Sequence, residues 1–345
     1  MSPPEIIACL RGQVGHLTLN RPAALNALTR GMISELTLAL QGWRTDPSVR
    51  LIVIDAAGPK AFCAGGDISA IYAQGRSGAY QEIETFWREE YRLNDLIANY
   101  PKPVVSFIHG FCLGGGVGIA CHASHRVVGE TAQLAMPECG IGFIPDVGGT
   151  WLLSCAPEGI GTWLALTGAR AAAADAITAG FADLHIPEAR WPEVKSSLEA
   201  TGDISLLTQF AVALPANAHS LFDANLCSIF AQDDLVALVQ MLGSEGTPAA
   251  TRALDAIRAA SPLALATAFE ALRRMKQGGD LRDALRLEYR AGCRFLRAGD
   301  FLEGIRARLI ERGSVPKWRH SCVEDVETEL AAAMLAPLEA TDLTF

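Results

Sequence analysis

The stretch PVVSFIHGFCLGGGVGIAC runs from Pro103 to Cys121. Its length and hydropathy match a membrane span. Its interior does not: it opens Pro-Val-Val, carries His109, and holds five glycines, four of them between Gly114 and Gly118. A β-branched run, a glycine turn and an apolar segment read better as a buried strand, a tight turn and a buried helix. Parallel strands need a crossover between them, so a buried strand feeding a buried helix is the repeating unit of a covered parallel sheet.

The same alternation extends on both sides. GHLTLN (15–20) alternates like a strand, LIVIDA (51–56) is a buried strand run, and HRVVGE (125–130) and AQLAM (132–136) are short strands. Leu25, Leu28, Met32, Leu36 and Leu40 recur at helical spacing, and residues 80–99 carry Ile83, Phe86, Glu90, Asn94 and Ile97 along one stripe. The fold class is α/β. After Asp183 the texture changes: HIPEARWPEV (185–194) is proline-marked, and Trp191–Leu335 shows helical patterns with almost no strand run. A boundary near 187–200 divides residues 1–190, the α/β core, from 191–345, a mainly helical C-terminal region.

Composition narrows the function. Hydrophobic residues make up 50% and charged residues 19%, as in a globular chain. A net charge of −9 speaks against nucleic acid or an anionic membrane as partner. Nine cysteines form no C-x-x-C pair and no zinc spacing with histidine, which reads as reduced thiols and no metal site. Cys63, Cys112 and Cys139 lie near glycine-rich motifs and read as buried filler before nucleophiles. MSPPEIIACLRGQVGHLTLN (1–20) has no basic n-region and no Arg-rich presequence, so a cytoplasmic location is expected.

Four motifs carry chemistry. In AFCAGGDI (61–68), two glycines precede Asp67, a natural cap for the next helix. HGFCLGGGVGIAC (109–121) opens a helix on glycine, where unpaired N–H groups can hold a phosphate or a developing oxyanion. It lacks the G-x-G-x-x-G spacing and the Walker lysine. AMPECGIGFIPDVGG (135–149) sets Glu138 and Asp146 among apolar residues. Burial raises a carboxyl's pKa, and two carboxyls driven apart become an acid and a base. Asp146 also suits the cap of a following helix; Glu138 has no such local role. In FWREEYRLN (86–94), Glu90 lies on the apolar stripe, where it either pairs with an arginine or meets a substrate hydroxyl. No G-x-S-x-G elbow is present.

These motifs, with LNRPAALNAL (19–28), resemble the crotonase, or enoyl-CoA hydratase/isomerase, superfamily. The resemblance implies stacked β-β-α units, an acyl-CoA substrate whose thioester oxygen meets the N–H groups of Gly66 and Gly115, and no cofactor beyond the substrate's own CoA. Hydratases of the family carry a glutamate two residues after the glycine triplet; here that position is Gly118. GGGVG, MPE, PDVGG, REEY and the segment 287–318 are similar instead to the 3-hydroxyisobutyryl-CoA hydrolase branch. That likeness implies hydrolysis of a short 3-hydroxyacyl-CoA in valine catabolism, with Glu138 and Asp146 as the catalytic pair and Glu90 touching substrate. Which acid is nucleophile, base or proton donor stays open. A hydratase or isomerase is the alternative, and a homo-oligomer fits the family's habit.

Overall fold

The computed structural model describes residues 3–214 and 221–345; residues 215–220 of the region read as helical lie outside the described residues. The chain divides into two compact, interleaved units. One holds Met1–Gly66, Arg92–Leu134 and Ala171–Leu221; the other holds Asp67–Tyr91, Ala135–Arg170 and Phe222–Phe345. This differs from a single cut near residue 190. Segments 67–91 and 135–170 group with the helical tail, and the helix Trp191–Thr201 groups with the strands.

The strand unit is built on a six-stranded sheet. In chain order the strands are β1 (Ile6–Arg11), β2 (Val14–Leu19), β3 (Leu51–Ala56), β4 (Ala61–Cys63), β5 (Val104–Ile108), β6 (Phe111–Leu113), β7 (His125–Val128), β8 (Gln133–Ala135), β9 (Ala171–Ala172) and β10 (Leu184–His185). The large sheet runs β1-β2-β3-β5-β7-β10, and a small one runs β4-β6-β8-β9. Only β1 is antiparallel in the large sheet. The central strands β3 and β5 are buried along most of their length, which explains their continuous apolar runs. Val53, Val105, Phe107 and Val127 pack there with Trp191, Val194 and Leu198 of the helix Trp191–Thr201.

The segment Pro103–Cys121 holds the strand β5, a turn at Gly110 and the helix Gly115–Ala120 as read, and between turn and helix a short strand, β6, that the sequence reading did not include. The helix expected from Leu25 begins later, at Arg30, capped by the Thr29 hydroxyl. Leu25 and Leu28 are buried or partly buried loop residues: Leu25 sits at φ 52 and Leu28 bridges to Gly66. Helical spacing alone cannot tell a loop that buries two leucines from the helix it feeds.

The second unit is helical. Ser261 and Thr247 each cap a helix whose next residue is proline, and Asp280 with Asp283 forms a capping box for Leu281–Ala298. That last helix buries Leu281, Ala284, Leu285, Glu288, Tyr289 and Gly292, one face at three- and four-residue spacing. Trp87, Phe143, Phe295 and Phe301 form an aromatic cluster in the same unit; Phe143 lies 5.3 Å from Trp87 and 4.5 Å from Phe301. This cluster anchors the segment between Glu138 and Asp146. Gly142, at φ 72, is held there because a Cβ would meet the Asp300 carbonyl at 2.5 Å.

Candidate active site

Four carboxyls gather in the helical unit. Glu138 opens a short 3-10 turn, Glu138–Ile141, after Pro137. Asp146 follows Pro145, Glu90 lies in the helix Tyr80–Ala98, and Glu288 comes from Leu281–Ala298. All four are buried. No ion pair holds any of them among the described residues, so the arginine partner weighed for Glu90 is absent. Oε1 of Glu90 and Oε2 of Glu138 have no hydrogen-bond partner among the described residues.

Such a cluster cannot stay fully ionised. Burial, then the neighbouring Asp146, pushes Glu138 and Glu90 well above the carboxylate range. Burial lifts Asp146 to about 7, against the pull of a hydrogen bond from Tyr91. Burial raises Glu288 to about 8 against three hydrogen bonds that favour its anion. Carboxyls that exchange protons near neutral pH are suited to general acid and base work.

Asp146 does not cap a helix. The helix Gly149–Cys155 begins on Gly148, which has no capping side chain, while Asp146 accepts a hydrogen bond from the Tyr91 hydroxyl at 2.7 Å. Sequence reading missed Tyr91 and Glu288. The signal for Glu288 was present: it stands on the buried stripe of its helix, as Glu90 does on its own. Tyr91 carried no signal beyond its place next to Glu90.

Gly66 and Gly115 lie in the strand unit, at the ends of the parallel neighbours β4 and β6. The two turns touch: a Cβ on Gly65 would sit 3.7 Å from the Gly115 nitrogen, and one on Gly116 would lie 2.4 Å from the Cys63 carbonyl. Neither the Gly66 nor the Gly115 amide donates a hydrogen bond among the described residues. Gly115 is the first residue of its helix, where an amide has no partner within the helix. Asp67 caps the helix Ile68–Ser77, accepting from the Ala70 amide. Burial drives the Cys112 and Cys139 thiols upward, which disfavours the thiolate a cysteine nucleophile needs.

The family model described as enoyl-CoA hydratase/isomerase matches residues 14–335. The mitochondrial 3-hydroxyisobutyryl-CoA hydrolases of Gallus gallus and Homo sapiens are 36% and 34% identical to this chain, over 99% of it and 91% of each relative. An enoyl-CoA hydratase structure from Rhodobacter sphaeroides 2.4.1 superposes with a TM-score of 0.92 at 48% identity, covering 99% of this chain and 100% of that one. A carnitinyl-CoA dehydratase structure from Mycobacterium thermoresistibile gives 0.92 at 41%, covering 99% of both. The α/β architecture is therefore the crotonase fold. With its glycine turns, its buried acids and relatives of one name along its whole length, the chain belongs to the enoyl-CoA hydratase/isomerase superfamily, on its 3-hydroxyisobutyryl-CoA hydrolase branch.

Proposed function

We propose that this enzyme hydrolyses the thioester of a short 3-hydroxyacyl-CoA, with 3-hydroxyisobutyryl-CoA, an intermediate of valine breakdown, as the preferred substrate. The observation that carries the reading is the set of buried acids without an ion pair at Glu138, Asp146 and Glu90, combined with Gly118 where a hydratase would hold the first of its two glutamates.

The roles follow from chemistry. The amides of Gly66 and Gly115 receive the thioester oxygen and stabilise the tetrahedral oxyanion. Losing one such donor costs roughly 3–4 kcal/mol. One carboxylate of the Glu138/Asp146 pair takes a proton from water as its oxygen adds to the carbonyl carbon, or attacks that carbon to give a mixed anhydride that water then opens. The C–S bond breaks, and the second acid gives its proton to the departing CoA sulfur. Glu90 takes the 3-hydroxyl. Glu138 is the preferred reacting group, because its Oε2 is unpartnered while Asp146 is held by Tyr91. The reading assigns no metal and no cofactor other than the CoA of the substrate. It also includes a homo-oligomer and a cytoplasmic enzyme: none of the nine cysteines forms a disulfide, as suits a reducing compartment, although the relatives named above are mitochondrial proteins.

Free-thiol release from 3-hydroxyisobutyryl-CoA, 3-hydroxypropionyl-CoA, crotonyl-CoA and acetyl-CoA tests the reading. Fast release from the two 3-hydroxyacyl thioesters and slow release from acetyl-CoA is expected. The name of the Rhodobacter sphaeroides neighbour favours a second reading, hydration of an unsaturated acyl-CoA. Loss of crotonyl-CoA absorbance without thiol release would replace the first reading with this one.

A further inference from the structure

The turn that carries Asp146 is strained. Val147 sits at φ 53 and Gly148 at φ 80. A β-branched residue rarely adopts the left-handed region, and such a turn persists only where its surroundings determine it. The helix that follows needs its first amides satisfied, yet its cap residue, Gly148, has no side chain to do so.

A distant carboxylate does that work. Glu288 accepts hydrogen bonds from the Gly148 amide at 2.7 Å, the Thr150 amide at 2.9 Å and the Thr150 hydroxyl. Both of its oxygens are used, every partner is a donor, and the residue is fully buried with no cation paired to it among the described residues. A serine or aspartate at the cap would satisfy these amides locally. This chain places glycine there and reaches across from another helix. The next residue, Tyr289, packs edge-on against Tyr91 at 6.3 Å, and Tyr91 donates to Asp146. One turn of the helix Leu281–Ala298 therefore bears on Asp146 from two directions, through the backbone and through Tyr91.

We propose that Glu288 is a positioning residue: its carboxylate clamps the turn Asp146–Thr150, so that the Asp146 carboxylate is relieved of capping and fixed towards Tyr91. The catalytic consequence rests on the thioesterase reading above; the clamp itself does not.

The experiment compares the wild type with Glu288→Gln, Glu288→Asp and Thr150→Val, in amide hydrogen exchange and in thiol release. Gln keeps the volume but turns its amide NH2, itself a donor, towards at least one of the three donors. Exchange in peptides spanning 146–152 should quicken at least about tenfold in Glu288→Gln, with the rest of the chain unchanged. Its kcat should fall about 30-fold or more, with KM within about threefold, because a misaimed acid costs turnover before binding. Glu288→Asp should recover part of the loss. Thr150→Val keeps both amides and should show the same changes, smaller, which covers a Glu288 variant that does not fold. Unchanged exchange would overturn the clamp, and faster exchange with unchanged kcat would overturn the positioning role. A wild-type chain that releases no thiol from any acyl-CoA would sink the thioesterase reading instead, and exchange would still decide the clamp.

Discussion

Tyr91 donates its phenolic hydrogen to Oδ2 of Asp146 at 2.7 Å, and both residues are buried. This is the one hydrogen bond from a side chain to that carboxylate among the described residues. It opposes a desolvation that otherwise pushes the acid upward. A donor holds the anion in place and a dry site raises its basicity, which together give a carboxyl that titrates near 7.

Removing the donor should move the titration. In Tyr91→Phe the anion of Asp146 loses its partner, so its pKa rises further. Asp146 is the proton donor when Glu138 reacts, so it must hold its proton, and the alkaline limb of kcat/KM should shift to higher pH. A limb that stays put or moves down would show that Asp146 does not titrate in the reaction.

Glu138→Gln should leave the fold intact, since the acid makes no ion pair and the amide has the same shape. Turnover should fall by roughly 10³-fold, in the range general acid–base groups contribute. Wild-type hydrolysis by this variant would end its assignment as a reacting group.

Glu90 separates binding from chemistry. Glu90→Gln should raise KM for a 3-hydroxyacyl-CoA about tenfold, the worth of one hydrogen bond, and leave acetyl-CoA hydrolysis unchanged. Equal loss on both substrates would remove the hydroxyl role.

The glycine turns permit a paired test. Gly115→Val should cut kcat about 10²–10³-fold by crowding the free amide. Gly116→Ala should act on stability instead, because its methyl would lie 2.4 Å from the Cys63 carbonyl oxygen, which is backbone and cannot swing away. Retained turnover in Gly115→Val would argue against that amide as an oxyanion donor.

These residues also show what the sequence could and could not tell. β3 and β5 were legible because strands buried on both faces read as unbroken apolar runs. The two-residue strands β9 and β10 were not, because pairing rather than pattern makes them. β1 went unread since its outward face is largely exposed and mixed in character. In the site, Glu138 and Glu90 stood out as acids in apolar surroundings. Asp146 remained ambiguous because its local context also suited a cap. The residue that resolves it, Glu288, lies about 140 positions away and reaches the turn only through tertiary packing. The interleaving of the two units is hidden for the same reason: segment 135–170 is contiguous with strands but groups with helices.

The cluster of acids should cost stability in a pH-dependent way. Asp146 is lifted from 3.8 in its ordinary state to about 7 in the folded chain. Below pH 4 both states hold the proton and the shift contributes nothing unfavourable. As pH rises from 4 to 7 the unfolded chain gives up its proton first, so stability falls, and above 7 the full penalty applies. A shift of about three units corresponds to at most about 4 kcal/mol. Asp146→Asn keeps an acceptor for Tyr91 and never ionises. It should therefore be more stable than the wild type at pH 8, with a smaller gain at pH 5 and none near pH 4, while losing most of its turnover. Denaturant midpoints at the three pH values measure this. A gain that grows as pH falls would mean that Asp146 is not the group whose burial is resisted, and that the strain of the site resides in Glu138 or Glu90.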